Sequence, residues 1–142
     1  MVKKKATDDL RQELMEAAEV DTYLSENQDY FIERDVSELL TALYKKRSLS
    51  KAALARKAGM SEVYLHQVFS GRRKPSRDRL LCLCIGLEAT LDETQQILRQ
   101  AAYAPLYPKR RRDAILIHGL LHGVEIDRLN DKLFTENEKT LF

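Results

Sequence analysis

The chain has 142 residues, 44% of them hydrophobic, enough for one ordinary domain with its own core. Its longest apolar stretches, such as AILIHGLLHGV, are too short to span a bilayer, and MVKKKATDDL lacks the apolar segment of a secretory signal, so a soluble cytoplasmic protein without membrane contact is expected. The net charge of +2 hides a segregation: from Leu43 to Arg79 eleven cations face only Glu62 and Asp78, whereas the first 35 residues hold five cations and ten anions. A basic middle of this kind implies an anionic partner, nucleic acid first.

Helical periodicity and helix punctuation recur along the chain, and alternating runs of β-branched residues are missing, so the expected fold is all-α. A first helix is expected from Asp8 to about Val20, with Leu10, Leu14 and Ala17 or Ala18 on one face, then a short amphipathic piece near Thr22 to Phe31. In RDVSELLTALYKKR, Asp35 is placed to cap, Glu38 takes the capping-box position, and Val36, Leu39, Leu40 and Leu43 form an apolar stripe. The three cations that follow suit a helix C-terminus. Ser50 caps KAALARKA, Gly59 closes it in a left-handed conformation, and Ser61 caps EVYLHQVF. Gly71 and Pro75 end that helix, Ser76 caps RDRLLCLCIGL, and Thr90 or Asp92 starts ETQQILRQAA. Beyond YAPLYP, whose tyrosines are expected to pack the later helices onto the centre, KRRRDAILIHGLLHG and VEIDRLNDKLF read as two helices separated by Gly123. TENEKTLF reads as a frayed tail. The expected organisation is therefore an N-terminal helical extension at 1–34, a five-helix unit at 35–104 and a C-terminal helical extension at 105–142.

Two short helices joined by a glycine, an apolar residue and a cap form the αα-turn of a helix-turn-helix. Ala55 allows the close approach, Gly59 the turn, Met60 plugs the corner, and Leu65 and Val68 anchor the second helix. Over LSKAALARKAGMSEVYLHQVFSGRRKPSRDRLLCLCIGL, residues 49–87, the sequence resembles the lambda-repressor-like, or XRE-type, helix-turn-helix domains. The shared features are the Leu-Ser opening, Leu-Ala on the first helix of the pair, the turn glycine, Gly-(Arg/Lys)-x-x-Pro, and a leucine-rich helix after it. The resemblance implies a bacterial or phage transcriptional regulator that binds double-stranded DNA, with residues 62–69 as recognition helix in the major groove. Helical projection agrees, since Leu65 and Val68 point one way and Glu62, Val63, His66 and Gln67 roughly the other. Those four are the candidate base readers: Gln67 for adenine, Val63 for a thymine methyl, Glu62 for a cytosine amino group. Lys51, Ser61, Arg72, Arg73 and Lys74 are the candidate phosphate contacts. A single unit of this size binds weakly, so a homodimer reading half-sites roughly 34 Å apart is expected.

Glu62 brings a carboxylate to a tip that would approach a polyanion, and it equally suits its own helix N-terminus. With Tyr64 and Phe69 it also frames an alternative, an antitoxin-like or adaptor protein whose helix-turn-helix surface binds a protein partner. A weaker alternative has the C-terminal helices holding a small ligand. Lys109 to Arg112 read either as a second phosphate contact or as a solvated helix start. His118 and His122 have chelating spacing but no third ligand in the pattern, so no metal is expected. Cys82 and Cys84 point apart on one helix and read as reduced, partly buried thiols. Without a phosphate loop, nucleophile elbow or carboxylate cluster, neither enzymatic activity nor a cofactor is expected.

Overall fold

The computed structural model describes residues 7–26 and 36–142, which fall in two compact units, one within Met1–Glu33 and one spanning Arg34–Phe142. The first holds α1 (Thr7–Glu16) and α2 (Val20–Glu26). The single helix expected from Asp8 to Val20 is thus divided. Neither helix buries a residue, and Leu14, Met15, Val20 and Leu24 stay exposed, so no packed face carries the helix through residues 17–19. The expected cap at Asp35 and the end of the expected piece at Phe31 lie outside the described residues.

The second unit contains α3 (Val36–Lys45), α4 (Lys51–Ala58), α5 (Glu62–Phe69), α6 (Arg77–Gly86), α7 (Leu91–Gln100), α8 (Arg111–Leu121) and α9 (Ile126–Thr135). No strand occurs among the described residues, so the fold is all-helical, and α3 to α7 are the five expected helices. Their starts are set by local chemistry. Ser50 Oγ accepts from the Ala53 N–H at 3.1 Å, Ser61 Oγ from Tyr64 at 3.1 Å and Ser76 Oγ from Arg79 at 3.2 Å. Each satisfies a donor the helix itself leaves unpaired, worth about 1 kcal/mol. Thr90, not Asp92, caps α7, in a complete capping box with Glu93.

The core gathers around α6, where Leu80, Leu81, Cys82, Leu83, Cys84 and Gly86 are all buried. A helix apolar on every side must be covered on every side, and α4, α7 and α9 all contact it. Leu106, Leu116, Leu129, Leu133 and Leu141 accordingly join the same cluster as Leu40, Leu54 and Leu65. The chain beyond residue 104 therefore shares one core with the central helices. Burial pushes both cysteine thiols from the ordinary 9.0 up to about 12.

Polar ties fix this packing. Arg77 donates from Nε to the Ala104 carbonyl at 2.9 Å and from Nη2 to that of Pro105 at 3.3 Å, and its guanidinium pairs with Asp113, which is 4% exposed. Asp113 Oδ2 also accepts from the Tyr107 N–H at 3.0 Å. Arg112 binds Asp78 at 3.0 Å and donates to the carbonyls of Lys139 and Thr140. The frayed tail expected from the sequence is thereby corrected: the Leu141 N–H donates to Asn130 Oδ1 at 2.7 Å, its side chain is buried, and Phe142 reaches the α4–α5 turn. Arg112 and Asn130, both on other helices, supply the partners that the tail's own polar sequence hides.

Gly59 holds that turn at φ +66, and the Met60 N–H donates to the Ala55 carbonyl at 3.0 Å, closing α4 in a Schellman arrangement. A Cβ built on Gly59 would stand 2.5 Å from Cε1 of Phe142, whereas one on Gly123, at a similar φ of +64, would meet nothing within 4 Å. Gly59→Val is expected to lower stability by about 2–4 kcal/mol and Gly123→Val by about 1–3 kcal/mol, strain alone. Equal losses in urea unfolding midpoints would remove the Phe142 contact from the account. Arg77→Ala strands the Asp113 carboxylate and is expected to cost about 2 kcal/mol or more, while Asp113→Asn should cost less. A loss no larger than that of the exposed-site control Arg110→Ala, in the same titration, would show that the knot contributes little.

Candidate nucleic-acid interface

Helix α5 lies across α4 through the Gly59–Met60–Ser61 turn, with Leu65 and Val68 buried beneath it. Its outer side carries exposed Glu62 and His66, half-buried Gln67, and Val63 at 68% exposure. Glu62 occupies the first turn, where its charge complements the helix N-terminus. Ser61 Oγ accepts the Tyr64 N–H as the helix cap and stays exposed.

Past α5 the chain doubles back through Gly71 at φ +78, and the N–H groups of Arg72 and Arg73 both donate to the Gln67 carbonyl, at 3.0 and 3.2 Å. Arg73 then returns its side chain to the helix: Nε donates to Gln67 Oε1 at 3.0 Å, and Cζ lies 5.5 Å from the Tyr64 ring centre. Arg79 stands 5.4 Å from the same ring and donates to the Gly59 carbonyl at 3.4 Å. Burial raises the Tyr64 phenol pKa, and the Arg79 and Arg73 charges oppose the rise. At the other end of α5, the Lys51 ammonium sits 3.4 Å from the Phe69 ring centre and 4.3 Å from that of Tyr44, and burial lowers its pKa. Phe69 and Tyr44 meet edge to face at 5.7 Å. Lys74 lies 5.0 Å over Tyr103, whose hydroxyl donates to the Pro75 carbonyl at 2.6 Å. Arg79 and Tyr103 join the site although neither was singled out for it in the sequence. Arg79 follows a helix cap, and Tyr103 opens the YAPLYP segment, so their only signals were position and bulk.

The eleven cations of the basic middle divide in two by their partners. Lys46 and Arg47 pair with Glu93, Lys57 with Glu88 and Arg77 with Asp113. Lys45, Lys51, Arg56, Arg72, Arg73, Lys74 and Arg79 have no carboxylate within salt-bridge distance among the described residues. These seven border α5. Arg56 and Arg79 line a shallow cavity with Met60, Ser61 and Tyr64, Lys45 lines another with Phe69, and Arg72 to Lys74 follow the helix directly. Carboxylates thus neutralise the surplus away from α5 and leave it standing around α5. Of the later basic run, Arg111 pairs with Glu136 and Glu138, and Arg112 with Asp78, while Lys109 and Arg110 remain exposed.

His118 and His122 stack with ring centres 4.1 Å apart on the surface, and no group of three or more potential metal ligands occurs among the described residues. No helix among the described residues is long and apolar enough to cross a membrane.

Two short capped helices crossing at a left-handed glycine, the second turned outward with cations around it, define the helix-turn-helix class, whose usual ligand is DNA. Residues 35–97 match the family model described as a helix-turn-helix domain, and this part of the chain, α3 through most of α7, is such a domain. Neither a curated protein nor a solved structure matches the chain.

Proposed function

We propose that the protein is a sequence-specific regulator of transcription of the XRE type, acting in the cytoplasm as a homodimer with α5 in the DNA major groove. The observation that carries this reading is the distribution of charge in the basic middle: of its eleven cations, the seven without a carboxylate partner among the described residues border α5. An array of this kind attracts a phosphate backbone and orients the helix between its strands. Glu62, Val63, His66 and Gln67 are then the side chains offered to base edges. Arg72, Lys74 and the Ser61 end of the helix contact phosphates. Lys51 serves differently from the phosphate contact expected of it, because its ammonium is occupied by two aromatic faces and fastens the C-terminal end of α5 to α3 and α4.

The protein-partner alternative requires Tyr64 and Phe69 as contact residues. Both are half-buried, and each ring has a cation over it, which leaves Val63 as the exposed large apolar side chain of α5. One exposed valine amid cations suits a groove lined by thymine methyls and phosphates better than an apolar protein surface.

Salt separates the two readings. Each phosphate neutralised contributes a slope of about −0.9 in log affinity against log salt, so the double variant Arg72→Ala, Lys74→Ala should weaken binding to specific and random duplex alike and flatten the slope by roughly 2 per subunit. Tyr64→Ala should leave the slope nearly unchanged. Fluorescence titration of labelled duplex between low and physiological salt measures both. A parent protein with no salt-dependent duplex binding would overturn the proposal.

A further inference from the structure

Resting on the placement of α5 in the major groove, we infer that Arg73 reads a base jointly with Gln67, and that the pair selects guanine. Three neighbouring cations follow α5, but they are held differently. Arg72 has no side-chain hydrogen bond or ion pair among the described residues, and Lys74 leans on Tyr103. Arg73 alone is folded back onto the helix, with Nε at 3.0 Å from Gln67 Oε1 and Cζ over Tyr64, one turn earlier on the same flank. The backbone enforces this, since the Arg73 N–H also donates to the Gln67 carbonyl at 3.2 Å after the left-handed turn at Gly71. The guanidinium is therefore drawn toward the base-facing residue.

Counting donors and acceptors gives the specificity. A solitary glutamine matches adenine, donating to N7 and accepting from the N6 amino group. Here the glutamine acceptor already receives the Arg73 Nε–H, and a guanidinium offers no acceptor to replace it. What the pair has left to offer a base is the Gln67 amide N–H groups and the Nη1 and Nη2 groups of Arg73, all donors. Guanine is the base whose major-groove edge offers two adjacent acceptors, N7 and O6, and the arginine fork meets them in bidentate fashion. The second lone pair of Gln67 Oε1 keeps adenine as the next choice. Because the fork is held before DNA arrives, less side-chain freedom is lost on binding than for an unattached arginine.

Selection from a randomised duplex library, followed by titration of single-base variants, tests the pairing in the full chain. The parent should prefer guanine at one position in each half-site by roughly 5- to 100-fold over adenine. Arg73→Ala should release Gln67 and turn that position toward adenine. Arg73→Lys keeps the charge and donors but not the rigid fork, so it should weaken the guanine preference while retaining the parent's salt slope. Arg73 is exposed, and both variants should melt as the parent does. The inference is overturned if Arg73→Ala keeps the parent's base preference, weakens all duplexes equally and flattens the slope by about 0.9, with Arg73→Lys restoring affinity: that pattern marks a phosphate contact. In that case the parent still binds duplex and the regulator reading stands. Absence of salt-dependent binding by the parent would remove both together.

Discussion

Helix α6 sets the terms for everything around it. Its buried residues run Leu80 to Cys84 without a break, so it has no side that water can cover, and a helix of that composition is stable only inside a complete shell of other helices. Helix α4, against which α5 is packed, covers part of that surface. Helices α7 and α9 cover more. The C-terminal helices are therefore not an appendage: Leu129 and Leu133 belong to the same buried cluster as the leucines and cysteines of α6, and α9 packs on that helix.

The same shell decides which charges remain free. Cations near the junction of the central and C-terminal helices are consumed by structure, Arg77 by Asp113 and two proline-region carbonyls, Arg112 by Asp78 and the tail. Those near α7 and the α6–α7 turn are matched by Glu93 and Glu88. Pairs of this kind contribute little to stability where they are exposed, but they cancel long-range field. Of the basic middle between residues 43 and 79, the cations that stay unpaired among the described residues are the seven around α5.

Legibility in the sequence followed the range of the interaction. Ser50, Gly59, Ser61, Ser76 and the Thr90–Glu93 box are decided within four residues of themselves, and the starts of α4 to α7 follow from them. The outward side of α5 was equally readable, because helical geometry alone separates Leu65 and Val68 from Val63 and His66. What stayed hidden depends on distant partners. TENEKTLF looks unstructured until Arg112 and Asn130 are brought to it, and the first helix looks longer than α1 because its apolar spacing does not tell that none of its residues is buried. Lys51 lies seven residues from Tyr44 and eighteen from Phe69, and Gln67 six from Arg73 around a turn, so no local rule joins them. The uninterrupted apolar run LLCLCI was a signal of a different kind: it marks a helix buried on all sides without saying which elements cover it.

These distant contacts converge on the two ends of α5. At its start, Ser61 caps the helix, Arg79 holds the Gly59 carbonyl, and Phe142 lies against the turn. At its finish, Phe69 is fixed between Tyr44 and the Lys51 ammonium, and Gly71 directs Arg73 back to Gln67. A two-turn helix is too short to be stable in isolation, so its ends must be held from outside for its outer side chains to keep fixed positions. With both ends held and its inner side buried on Leu65 and Val68, the freedom left to α5 is mainly that of its outward side chains. For a helix that must meet base edges to within a fraction of an ångström, that restriction reduces the entropy lost on binding and lets small differences in donor and acceptor pattern decide the partner.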